Sequence, residues 1–268
     1  MAEDKRSNPI GVFDSGLGGL SILNEIHKRL PNENILYLAD SQNAPYGEKN
    51  QSEIIDLSIK NTQFLLSKSC KIIVVACNTA TTNAIAILRE KFDVPFIGIE
   101  PAIKPAAIQS KTGQIGILAT KGTLTSKLFF EHAKKLSQRT KIIEVVGKGI
   151  VEAIENNSID SKEFEKHLMK QLQPFLSADI DHLVLGCSHY PFIISKLKKI
   201  LDPKINIIDS GFAVARQTQR VLKNNDLENK SNEKVNNTIN IITNGTSPSA
   251  LNNILNQLNL NDYLIINS

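Results

Sequence analysis

Lys71-Ile-Ile-Val-Val-Ala-Cys-Asn-Thr-Ala-Thr-Thr82 is the stretch on which the fold turns. A strand with one solvated face alternates polar and apolar residues, whereas Ile72 to Ala76 is uniformly apolar, the pattern of a parallel strand covered on both faces. The run stops at Cys77 and passes into small hydroxyl and amide residues. In open α/β sheets, ligands bind beyond the carboxyl ends of the strands, so Cys77, Asn78 and Thr79 are placed at the rim of a cleft. The design recurs in Asp181-His-Leu-Val-Leu-Gly-Cys-Ser-His-Tyr-Pro191, where a short apolar strand runs into Cys187, followed by Ser188 and His189.

Outward from these two strands the chain alternates between strand and helix. Strands are expected at 10–13, 35–39, 96–99, 114–119, 141–146, 205–208 and 238–243. Helices are expected at 20–30, 52–66, 84–91, 125–136, 149–155, 161–176, 213–222 and 248–258. Parallel strands need long crossovers, so the expected fold is α/β, with two parallel-sheet lobes of related construction facing each other across a cleft. The first lobe takes residues 1–100 plus 210–268 and carries Asp14 and Cys77; the second takes 101–209 and carries Cys187 and His189. Asp209-Ser-Gly211 echoes Asp14-Ser-Gly16, consistent with that kinship, and the polar run 223–237 reads as an exposed loop.

Composition narrows the function. The chain has 268 residues, with 31 Lys+Arg against 27 Asp+Glu, a net charge of +4. The basic residues are dispersed, which argues against a nucleic-acid face. The charged start lacks a signal-peptide core and no apolar run is long enough to span a bilayer, so a soluble cytoplasmic protein without a membrane partner is expected. Three cysteines without a C-x-x-C pair support neither a disulfide framework nor a zinc site, and no metal is expected. Cys70 reads as structural.

Asp14-Ser-Gly-Leu-Gly-Gly19 turns the first strand into a helix. A dinucleotide fingerprint would need a third glycine where Ser21 stands, although Asp40 sits near the place of a ribose-binding acid. The turn suits an anionic ligand better: its glycines let backbone N–H groups approach the ligand, while Asp14 accepts from an ammonium group or moves a proton. A plain helix cap by Asp14 or Ser15 is the competing reading. Tyr46 and Gly47, in the turn Asn43-Ala-Pro-Tyr-Gly-Glu48, offer a ring with a polar tip that could close over a ligand. Thr120, after the strand 114–119, brings a hydroxyl to the same cleft, with an N-cap at Thr123 as the alternative.

Two thiols at two sheet rims suit few chemistries. A nucleophilic cysteine paired with His189 would leave Cys77 unexplained, and a redox pair is more often close in sequence. Two acid/base cysteines on opposite faces of one carbon remain: one removes a proton, the other returns one, and a stereocentre inverts. Thiol pKa values near 8.5 are low enough to be tuned for both roles.

Val12-Phe-Asp-Ser-Gly-Leu-Gly-Gly19, Ala44-Pro-Tyr-Gly47, Val75-Ala-Cys-Asn-Thr-Ala80 and Leu185-Gly-Cys-Ser-His-Tyr-Pro191, in this order, resemble the glutamate racemase family. The resemblance spans residues 10–243. It implies a cofactor-independent homodimeric enzyme of two α/β domains that makes D-glutamate for peptidoglycan. By motif it assigns Cys77 and Cys187 as the acid/base pair, Cys77 acting on D-glutamate with Asp14 in support and Cys187 on L-glutamate with His189 in support, and puts Asp14, Ser15, Tyr46, Gly47, Asn78, Thr79, Ser188 and His189 around glutamate. Glu155 matches an acid that assists the second cysteine. Ser188 departs from the usual threonine, keeping the hydroxyl without the methyl. An aspartate racemase or another two-cysteine isomerase is the nearest alternative, and a non-catalytic amino-acid-binding protein the more distant one.

Overall fold

The computed structural model describes residues 5–137, 139–230, 239–245, 247–261 and 263–267. The described strands are β1 (Ile10–Asp14), β2 (Ile35–Ala39), β3 (Ile72–Val75), β4 (Phe96–Gly98), β5 (Gln114–Ala119), β6 (Lys141–Val146), β7 (His182–Gly186), β8 (Asn206–Ile208), β9 (Ile239–Thr243) and β10 (Tyr263–Asn267). They form two sheets, ordered β10-β9-β2-β1-β3-β4 and β6-β5-β7-β8, in which every pairing is parallel. The expected α/β architecture of two parallel sheets is therefore present. β1, β2, β3 and β7 are buried along their whole length, as their uninterrupted apolar sequences require.

The order β2-β1-β3-β4 in the first sheet repeats as β6-β5-β7-β8 in the second. Under this correspondence β3 matches β7, so Cys77 and Cys187 stand at equivalent strand ends. The triplet echo does not follow the same rule. Asp14 closes β1, whereas Asp209-Ser-Gly211 follows β8, the counterpart of β4. There Asp209 accepts from the Gly211 N–H (2.7 Å) and Ser210 donates to the Glu100 carbonyl (2.6 Å), tying together the two chain crossovers between sheets.

Local chemistry explains where elements depart from expectation. The helix after β3 spans Asn78–Lys91, beginning six residues earlier than expected, because the Cys77 sulfur caps it by accepting from the Ala80 N–H (3.5 Å). The expected helix 125–136 is two: Lys121–Leu124, capped by Thr120, and Lys127–Leu136, capped by Ser126. The cap is thus Thr120, not Thr123. Pro174 divides the expected helix 161–176 into Lys162–Gln171 and Gln173–Leu176, since proline lacks the N–H that would continue it. Ile103–Gln109 is helical despite Pro105, which falls in the first turn where proline is tolerated. Ile194–Ile200 and β10 were not expected either. The helix Gly211–Asn224 runs into the start of the expected loop 223–237, of which 231–237 lies outside the described residues, as does Thr238.

Cys70 is buried against β1, and burial pushes its thiol pKa up to about 12, the behaviour of a structural thiol. Beside it, Lys71 donates to Glu33 (2.5 Å), whose other oxygen accepts from the Asn229 N–H (2.8 Å). Burial raises the Glu33 carboxyl pKa, opposed by the Asn229 N–H and by Lys71. Lys71→Met removes the cation from a buried pair and is expected to cost about 3–5 kcal/mol in urea unfolding. A loss under about 1 kcal/mol would show that Glu33 is satisfied without it.

Candidate active site

The carboxyl ends of β3 and β7 face each other across a cavity of about 10 Å³, room for one water and not for an amino acid. Ser15, Tyr46, Gly47, Cys77, Asn78 and Thr79 line it from the first lobe. Thr120, Cys187, Ser188 and His189 line it from the second, along with Val151, which no sequence signal marked. Asp14 and Glu155 stand behind this wall and reach it through Ser188 and His189.

The two sulfurs have different surroundings. Cys77 donates to the Ser15 hydroxyl (3.8 Å). Burial, then the Asp14 charge, raises its pKa well above the usual thiol value, so it holds its proton at neutral pH. The Cys187 sulfur lies 3.9 Å from His189 Nδ1. On the far side of the ring, Nε2 lies 2.7 Å from Glu155 Oε1 and 3.2 Å from the Gly18 amide nitrogen. One ring nitrogen cannot donate to the carboxylate and accept from the amide together. The shorter, charge-assisted contact decides, and Nε2–H donates to Glu155. Burial works against charge on His189, but Cys187 and Glu155 outweigh it and raise its pKa well above the usual histidine value. His189 is therefore an imidazolium that presents positive charge to the Cys187 sulfur.

The glycine turn is used differently from the expectation. Its N–H groups are taken by the protein's own carboxylates: Leu17 N–H donates to Glu155 Oε1 (2.6 Å) and Gly19 N–H to Asp14 Oδ2 (2.8 Å). The anion held at the turn is Glu155, from the other lobe. A Cβ on Gly16 would lie 2.1 Å from Glu155 Oε1, and one on Gly18 2.3 Å from His189 Nδ1. Glycine is needed there for the close approach of the second lobe. Asp14 also accepts from the Ser188 hydroxyl (3.3 and 3.4 Å), so it joins the glycine turn to the Cys187 loop instead of only capping a helix. Burial raises its pKa, against the lowering effects of His189 and the Gly19 N–H.

Tyr46 lines the cavity, but its polar tip does not close over a ligand. The hydroxyl turns inward, donating to Asp40 (2.5 Å) and accepting from Asn61 Nδ2 (3.0 Å). Asp40 also accepts from Asn43 (2.8 Å) and Asn244 (2.9 Å). The acid that resembled a ribose ligand is an internal brace for the 43–47 turn. Thr79, Thr120 and Thr123 hydroxyls meet across the lobes at 2.8 to 3.3 Å. Asn78 is 2 % exposed, and neither its carbonyl oxygen nor its amide nitrogen has a hydrogen-bond partner. Buried amides are rarely left so, and this one lines a cavity between two cysteines.

A family model described as Asp/Glu/Hydantoin racemase matches residues 10–218. The chain belongs to this family. The glutamate racemase of Clostridium perfringens is 42 % identical over 237 residues, covering 88 % of this chain and 91 % of that protein. Among solved structures, a glutamate racemase from Bacillus anthracis superposes with a TM-score of 0.86 at 30 % identity, covering 98 % of each chain. The Escherichia coli glutamate racemase, solved with L-glutamate and an activator, gives 0.83 at 31 % identity, covering 97 % of each. Family membership makes the chain an isomerase. Among the described residues no cluster of His, Cys, Asp or Glu suits a metal ion, and no helix is long and apolar enough to cross a membrane.

Proposed function

We propose that the chain is a glutamate racemase that interconverts L- and D-glutamate with two cysteines and without a cofactor, supplying D-glutamate for peptidoglycan. The observation that carries this reading is the pair of thiols at equivalent strand ends of two sheets, lining one cavity with the unpaired Asn78 amide. The residues divide the work by charge. Cys187, facing the His189 cation, takes the α-proton of L-glutamate, and the protonated Cys77 returns one on the other face. In the reverse direction the roles exchange. Burial and then the Asp14 charge keep the proton on Cys77 in the empty site, and a substrate ammonium group between Asp14 and Cys77 offsets that charge. Asn78, Thr79, Thr120 and Ser188 supply hydrogen bonds to the substrate carboxylates, and the Tyr46–Gly47 turn closes over it. The lobes are residues 1–100 plus 210–268 and 101–209, and the working protein is a cytoplasmic homodimer, which light scattering with and without glutamate would refute by finding only monomer.

Dialysed, chelator-treated protein is expected to bring pure L-glutamate to zero optical rotation. It should prefer glutamate over aspartate by at least about 100-fold in kcat/KM, because a shorter side chain leaves buried polar groups unpaired. Activity appearing only on addition of pyridoxal phosphate, metal or nucleotide would overturn the mechanism. An equal or better rate with aspartate would favour the aspartate racemase reading.

A further inference from the structure

Resting on the racemase reading, we infer that Asn83 is a positioning residue that holds the two lobes closed over the substrate without touching it. The cavity as it stands has room for one water, so the lobes must part to admit an amino acid and settle around it, and Asn83, outside the cavity, keeps its contact in that complex. Asn83 lies one turn beyond Thr79 in the helix Asn78–Lys91, and lines neither the cavity nor the pocket beside it. Its Nδ2 donates to the Thr79 carbonyl of its own helix (2.8 Å) and, across the lobes, to the Gly122 carbonyl (3.1 Å), with Thr82 Oγ1 at 3.4 Å. The amide orientation is forced, because turning it would set Oδ1 against two carbonyl oxygens.

Gly122 sits at a close approach of the two lobes. A Cβ there would lie 2.9 Å from Thr79 Cγ2 and 3.0 Å from the Gly47 carbonyl oxygen, a backbone atom that cannot swing aside. The gripped carbonyl belongs to the short helix Lys121–Leu124, flanked by the cavity hydroxyl of Thr120 and by Thr123. Holding Gly122 therefore fixes where those hydroxyls stand against Thr79. Removing the grip leaves every cavity-lining group intact and lowers only the closed fraction. A smaller competent fraction raises the apparent KM while the chemistry of the closed complex is unchanged.

Asn83→Ala is expected to raise KM about 5-fold for both enantiomers, the worth of one hydrogen bond, with kcat within about 2-fold of the parent. Asn83→Asp keeps the volume but sets a carboxylate against the carbonyls, and should raise KM further. Gly122→Ala, a wedge at a different atom, should act in the same direction. Hydrogen exchange on the substrate-free protein supplies a readout independent of activity: amides of residues 120–125 should exchange faster in Asn83→Ala, with the melting temperature unchanged. Unchanged KM and exchange, a loss confined to kcat, or Asn83→Asp behaving like the parent would each overturn the role. If the parent protein leaves glutamate unaltered, the racemase reading fails, and the exchange comparison still decides whether Asn83 holds the lobes.

Discussion

Cys77→Ala and Cys187→Ala are each expected to reduce racemisation by at least about 1,000-fold in kcat, although the other half-site is intact in either variant. In the proposed mechanism every turnover needs one sulfur to take a proton and the other to return one, and a positioned acid or base is worth about 10²–10⁴ in rate. Polarimetry on L- and on D-glutamate measures the loss. Because the enantiomers are equal in energy, kcat/KM must fall equally in both directions, so racemisation rates cannot show which sulfur serves which face. An analogue that irreversibly loses a leaving group after proton abstraction can. Cys187→Ser should fail preferentially with the L-isomer, whose proton this sulfur takes, and Cys77→Ser with the D-isomer. Equal losses for both isomers in both variants would contradict the facewise assignment. Substantial racemisation by either alanine variant would remove the two-base mechanism.

Gly16→Ala should lower kcat/KM about 100-fold with little change in melting temperature. The added methyl falls on Glu155 Oε1, the end of a flexible side chain, so the fold tolerates it by displacing that carboxylate. The displacement breaks the Leu17 N–H contact and the support behind His189, and misplacements near 1 Å cost about this much. Glu155→Gln isolates the electrostatic part. Burial lowers the His189 pKa while Cys187 and Glu155 raise it, so losing the Glu155 charge brings the value down. The imidazolium then deprotonates at lower pH, and the alkaline limb of the kcat/KM profile moves toward acid. A Gly16→Ala variant with parental kinetics, or a Glu155→Gln profile with an unmoved alkaline limb, would show that Glu155 does not govern His189.

Much of the architecture was legible because its causes are local. An apolar run of strand length must be covered on both faces whatever lies elsewhere in the chain, so β3 and β7, and the cysteines that end them, could be read from their own residues. The strand–helix alternation likewise implied parallel sheets. Some local errors had local causes: a sulfur cap after Cys77 and proline in the first turn after Ile103 are weaker signals than Ser or Asp caps.

What the sequence by itself determined was two parallel sheets, each presenting a cysteine with hydrogen-bonding neighbours at a strand end. Only the tertiary structure decided how those ends are furnished. Glu155 reaches the Leu17 N–H from 138 residues away, Asp40 is joined by Asn244 from 204 away, and Asn83 grips Gly122 across the lobes. The Asp14 turn looked open to a ligand until the second lobe filled it. The physical reason is range. Burial and turn chemistry act on consecutive residues, whereas a side chain's partner depends on how two separately built sheets come to rest against each other.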